Sequence, residues 1–189
     1  MSSKIKKEYK ITFKKFIGHL HTVNKHRFLV FLLCTRVGLI WRGLTHDLSK
    51  YSPTEFFEGV RYFTGYASPI RTCRKVNGYS KAWLHHKGRN KHHYEYWVDY
   101  DKEEIYPVIP YKYVAEMICD SLAAGITYQK KKWTKSYQLD YWMKIRKYAK
   151  INPKIDFLLT KVYTEIREEG IKKVITSKNL KELYKIYVG

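Results

Sequence analysis

The residues best suited to chemistry fall in two short stretches. Residues 45–56 read THDLSKYSPTEF and set His46 beside Asp47, with Lys50 three positions on. Residues 82–97 read AWLHHKGRNKHHYEYW and hold four of the eight histidines, His85, His86, His92 and His93. Imidazole nitrogens mixed with carboxylate oxygens, and no cysteine among them, suit a catalytic divalent ion such as Zn, Mn or Fe. Such an ion lowers the pKa of a water and polarises a phosphoryl oxygen.

Three further residues belong with them. His26 falls on the inward face of a helical pattern with Val30 and Leu33. Glu116 and Asp120 lie four apart on one face of an apolar helix, among Val114, Ile118 and Leu122. A carboxylate in such surroundings needs a partner, either a metal or an arginine. The density of histidine elsewhere favours the metal.

The elements that must position these groups read as helices. A first helix begins at Ile11, and a second runs from about Asn24 to Val37. Gly38 and Gly43 loosen the segment leading to His46 and Asp47. Adjacent helical residues point ~100° apart, so this pair converges only at a helix end or kink. Ser52, Pro53 and Glu55 form a capping box that opens a helix to about Phe63. Residues 64–78 read as a loop, and Gly88 and Asn90 place His92 and His93 on a turn or the following helix. Residues 98–109 read as an acidic loop. Pro110 opens the helix of Glu116 and Asp120, and a basic loop follows at Lys130, Lys131 and Lys132. Asn152-Pro153 caps a helix ending near Gly170, with Ile155, Leu158, Leu159, Val162 and Ile166 as its buried stripe. A last helix starts at Ser177. The expectation is an all-α, single-domain helical bundle. Its N-terminus, residues 1–10, is basic and flexible. Residues 11–189 form one domain, with the site in about 20–125 and accessory helices in 136–189.

Composition narrows the partners. The formal charge is +20, with 44% hydrophobic and 16% aromatic residues. The charge points to an anion, either a phosphate-containing small molecule or nucleic acid. Three scattered cysteines without a CxxC pair fit a reducing cytoplasm. The most apolar run, residues 28–41, is interrupted by Arg36 and falls short of the ~20 residues a membrane span needs. It reads as a buried helix, not an anchor. The opening MSSKIKKEYK shows no signal-type apolar segment.

The order His26, then His46-Asp47 with Leu48 and Lys50, then Asp120, resembles the H…HD…D order of the HD-domain metal-dependent phosphohydrolases. The longer pattern HDLSKYSPTEF, AWLHHKGRNKHHYEYW and AEMICD is similar to an uncharacterised bacterial and phage family, catalogued as a domain of unknown function, over about residues 20–125. The resemblance implies an all-α bundle of the HD-domain type and a hydrolase acting on a nucleotide or other phosphoester. It implies His26, His46, Asp47 and Asp120 as ligands of a first ion, with His19 and His21 as alternatives to His26. It implies His86 and His92 as ligands of a second ion, with His85 and His93 as rivals. Lys50 and Asn90 would contact phosphate, and Glu55 or Glu116 would orient the attacking water. The competing reading is a basic nucleic-acid-binding module without catalysis, in which any metal is structural. Tyrosine and tryptophan interleaved with lysine and arginine support it.

Overall fold

A computed structural model describes residues 9–189; of the expected flexible N-terminus, residues 1–8 lie outside the described residues. Helix α1 spans Phe13–Arg36, capped by Thr12, whose side chain accepts from Lys15 N. It is one helix where two were expected, because nothing between Leu20 and Asn24 breaks it. Thr22 returns its hydroxyl to the Gly18 carbonyl, and the side chain of Asn24 faces outward to Tyr51. Helix α2 (Ile40–Thr45) leads into a 3₁₀ turn, Leu48–Tyr51, and then α3 (Pro53–Arg61).

Residues 64–78 are not all loop. Pro69–Asn77 forms α4, with Pro69 in its first turn, Gly78 in the left-handed region at its end and Cys73 buried. Ser68-Pro69 and Gly78 are ordinary helix start and stop signals, here only nine residues apart, too short to show periodicity. Helix α5 (Lys81–Lys87) ends at Gly88, followed by a 3₁₀ turn, Tyr94–Trp97. The acidic loop holds a small antiparallel hairpin, β1 (Asp99–Tyr100) on β2 (Glu104–Ile105). Helix α6 (Tyr111–Gln129) passes into a 3₁₀ turn, Lys130–Lys132. Helices α7 (Tyr137–Ile145), α8 (Pro153–Glu169), α9 (Ile171–Val174) and α10 (Ser177–Tyr187) complete an all-α architecture.

Helix α6 is the central element. One face packs on α1, where Val30, Leu33 and Cys34 meet Ile118, Cys119 and Leu122 in one buried cluster. The same cluster extends through Ile155, Leu158, Leu159, Val162 and Ile166 of α8, the stripe read from the sequence, to Leu180 and Leu183 of α10. Each such side chain contributes about 1.5–3 kcal/mol on burial. The C-terminal helices thus share the core that holds α6 in place. Residues 28–41, expected to be buried, are divided. Val30, Cys34 and Val37 are inside, while Phe28 and Trp41 are 60% and 79% exposed. Among the described residues no helix is long and apolar enough to cross a membrane.

The contact between α1 and α2 depends on Gly43. A Cβ there would lie 2.9 Å from Cys34 Cβ and 3.0 Å from Phe31 Cα. Alanine ordinarily favours a helix over glycine, yet Gly43→Ala must push α2 off α1. We expect it to cost about 1–3 kcal/mol in urea unfolding; a variant as stable as the parent would refute this close packing.

Candidate metal centre

The αL conformation of Asp47 builds the site. Helix α2 ends at Thr45, His46 follows in extended conformation, and Asp47 has φ 54° and ψ 29°. Asparagine and aspartate tolerate this region better than most residues, though at some cost. The turn lets the two neighbouring side chains converge, which a helix would forbid. Arg27 clamps it: Nε donates to the His46 carbonyl at 2.8 Å and Nη2 to the Leu44 carbonyl at 2.8 Å.

Both oxygens of the Asp47 carboxylate are buried, and each faces a different set of imidazoles. Oδ2 lies 3.3 Å from His46 Nε2 and 3.7 Å from His26 Nε2. Asp120 Oδ1 closes that set, 3.0 Å from His26 Nε2 and 3.5 Å from His46 Nε2. Ligand atoms of these four residues all lie within 4.8 Å of one another. Oδ1 of Asp47 lies 3.3 Å from His86 Nε2 and 3.4 Å from His92 Nε2, and His93 joins this second group. His26 and Asp120 come from α1 and α6, His46 and Asp47 from the turn after α2, and His86 from α5. His92 and His93 come from the turn beyond it.

These atoms fit a cation. His46 Nε2, both Asp47 oxygens, and Nε2 of His86, His92 and His93 are buried without a hydrogen-bond partner. Unpaired buried groups are costly. Two ligands each ~2.1 Å from one ion stand about 3.0–3.4 Å apart, in octahedral or tetrahedral arrangement respectively. The observed spacings cluster around that range. Both groups can hold a metal.

The carboxylates behind the imidazoles complete the geometry. Glu116 Oε1 accepts from His46 Nδ1 at 2.9 Å and lies 3.3 Å from His92 Nδ1. Its other oxygen is paired with Arg42. Glu55 spans His85 Nδ1 and His86 Nδ1, each at 2.7 Å. A carboxylate on Nδ1–H fixes the tautomer and turns the bare Nε2 toward the ion. Glu55 and Glu116 thus stand behind the ligands and away from any water between them. The arginine is the partner of Glu116; the open cluster belongs to Asp120. The Glu55 side chain does not close a capping box either: Ser52 Oγ receives Glu55 N at 3.4 Å, but the Glu55 carboxylate goes to the histidines. Asn90 is occupied too, donating to Ser49 Oγ and the His86 carbonyl at 3.0 and 2.8 Å. Lys50 Nζ lies 3.2 Å from Asp47 Oδ2 and retains partial exposure. His19 packs on Phe56 and against Gly59, apart from the cluster, and His21 is exposed.

Arg27, Arg42, Ser49 and His93 complete the set, and the sequence reading placed only His93 near it. Arg27 follows His26 directly, and Arg42 precedes His46 by four positions. Neither spacing distinguishes a clamp from an ordinary basic surface.

Electrostatics follow from burial. Burial alone would lower His46 and His92. The neighbouring carboxylates outweigh it and hold His46 well above, and His92 above, the ordinary imidazole range. Burial would raise Asp47 and Asp120, yet the surrounding cations pull both well below the usual carboxylate range. Glu116 is drawn to about 2, its bonds to His46 and His92 overcoming burial. His93, buried beside His92 and His86, is pushed well down.

The architecture and this cluster define an all-α protein with a buried histidine–carboxylate centre able to hold metal. The chain belongs to DUF5662, a family of unknown function, which matches residues 15–165. No curated protein and no solved structure matches it. None of these findings connects it with the HD-domain phosphohydrolases.

Two outcomes test the centre. Glu116→Gln should weaken metal affinity by about 10–100-fold in a zinc competition titration; unchanged affinity would show that the carboxylate does not orient the imidazoles. The second concerns pH in the metal-free protein. Raised imidazole pKa values contribute stability that is complete below about 6.5 and lost as pH rises through the folded values. Depressed carboxylates act oppositely: their contribution is present above about 4.5 and lost as pH falls toward 2. His93 and His19, whose pKa values are lowered, oppose this below about 6.5, so chelator-treated protein should melt earlier at pH 8.5 than at pH 7. Added metal, which requires neutral imidazoles, should stabilise more at the higher pH. Melting temperatures that stay flat, or a metal effect that shrinks with pH, would contradict this account.

Proposed function

We propose that the protein is a metal-dependent phosphohydrolase acting on a nucleotide or other phosphoester. The observation that carries this reading is the Asp47 carboxylate, one oxygen in each of two adjacent ligand groups. Ions held in two such adjacent groups would suit in-line displacement at phosphorus. The first would be held by His26, His46, Asp47 and Asp120. The second would be held by Asp47, His86 and His92, with His93. The H…HD…D order of the first set supports the resemblance to HD-domain enzymes.

Charge supports the substrate class. Asp47, Asp120, Glu55 and Glu116 face two fixed cations, Arg42 and Lys50. With neutral imidazoles this leaves two negative charges. One divalent ion neutralises them, and a second makes the site cationic, ready for a phosphate. Ions held there supply an acidified water and a polarised phosphoryl oxygen. In hydrolysis the water oxygen bonds to phosphorus, the bond to the leaving oxygen breaks, and that oxygen takes up the proton. Lys50, partly exposed beside Asp47, is placed to hold a phosphate oxygen. Glu55 and Glu116 position histidines rather than water. Asn90 and Ser49 brace His86 and do not reach substrate.

A panel of nucleotides and simple phosphoesters, assayed with Mn, Fe or Zn, should show hydrolysis that chelation abolishes. Asp47→Asn, which disturbs both ligand groups, should lower kcat by more than about 100-fold while the fold persists. A folded Asp47→Asn variant that retains full activity would sink the proposal. So would a metal-loaded protein inert toward the whole panel, which would favour the binding module.

A further inference from the structure

A cleft of about 900 Å³ opens at the C-terminal end of α6, the helix that carries Asp120. Lys25, Tyr66, Tyr128, Gln129 and the Lys130–Lys132 turn line it, and none of its lining residues is acidic. Among the described residues no carboxylate pairs with any of these four lysines. Four unpaired cations on one concave wall repel each other, and an anion relieves that repulsion. The backbone is bent to bring them there. Lys130 has φ 53° and ψ −124°, a conformation that costs a non-glycine residue of order 1–3 kcal/mol. Lysines at a helix C-terminus can simply offset its dipole, but that needs no such turn.

The cleft is lined from the two helices that carry His26 and Asp120. Lys25 adjoins His26 on α1, and Ile126 and Tyr128 follow Asp120 on α6. Tyr128 is eight residues beyond Asp120 on α6, about 12 Å along its axis, and the lysine turn is farther still. One phosphate cannot touch both the metal centre and Lys131 or Lys132. A strand with a phosphate at each step can. Tyr66, 75% exposed at the wall, offers a face on which a base can stack.

We infer that this cleft binds single-stranded nucleic acid and leads it to the metal centre, so that the substrate is an oligonucleotide and not a free mononucleotide. The hydrolytic fate of the strand rests on the function proposed above; its binding does not. The test uses the full, metal-loaded chain and a fluorescein-labelled single-stranded oligothymidylate, followed by anisotropy. Thymidine monophosphate and polyglutamate serve as competitors. The strand should bind at least ~10-fold tighter than the monophosphate, with affinity falling steeply as salt rises. Replacing Lys131 and Lys132 together by alanine should weaken it ~10-fold or more and reduce the salt slope by about two. Tyr66→Ala should weaken it with the slope unchanged. Metal content should stay at the parent level in both. Asp47→Asn should still bind the strand. The inference is overturned if the monophosphate binds as well as the strand, or if the lysine variant binds like the parent. It is also overturned if polyglutamate competes equally, which would make the partner an acidic protein. Lysine-dependent strand binding without any hydrolysis would refute the phosphohydrolase reading and leave the cleft assignment standing. Mononucleotide hydrolysis with no strand binding would do the reverse.

Discussion

The structure depends on one buried carboxylate. Asp47 has both oxygens out of water, imidazoles on both sides and a single fixed cation, Lys50, at 3.2 Å from Oδ2. A charge in that position is tolerable only among compensating charges. Its backbone conformation, the Arg27 clamp on the preceding carbonyls and the close approach of α2 to α1 at Gly43 all serve to hold it there. The same requirement explains Glu116 and Glu55. Each keeps an imidazole from turning its bare nitrogen away.

The core does the coarse positioning. Helix α6 carries Asp120 and Glu116 on the face toward α1, and on its other sides it packs on α7 and α10 and shares one buried cluster with α8. A candidate ligand set drawn from α1, α5, α6 and the turns after α2 and α5 can stay within ångströms only if those elements cannot slide. Close packing of aliphatic side chains supplies that rigidity.

Much of this was legible in the sequence, for definite reasons. The helices α3, α6, α8 and α10 announce themselves through Pro53, Pro110, Pro153 and the serine near residue 177, and each is long enough or capped clearly enough to read. His46 and Asp47 were expected at a kink because adjacent helical residues diverge, and the left-handed Asp47 is that kink. The division of α1 into two was wrong because nothing between its halves breaks a helix. Helix α4 was overlooked because nine residues show too little periodicity. The partners of Glu55 and Glu116 were not legible for a different reason. Spacing shows which face of a helix a carboxylate occupies, but whether it meets a metal, a water or the far nitrogen of a histidine depends on a partner up to seventy positions away. Arg42 and Arg27 were hidden among 37 basic residues, where no local pattern marks the two that reach inward.

The order of the ligands along the chain has a bearing on biosynthesis. Asp47, His86, His92 and His93 are all synthesised before Asp120, and Asp120 precedes the whole of α8 and α10. The nascent chain therefore holds every ligand of the second group while the first still lacks its carboxylate from α6. Helix α6 in turn cannot bury its far side until the last sixty residues emerge. Synthesis thus supplies the two candidate groups in order: the second is complete once His93 is made, the first only with Asp120.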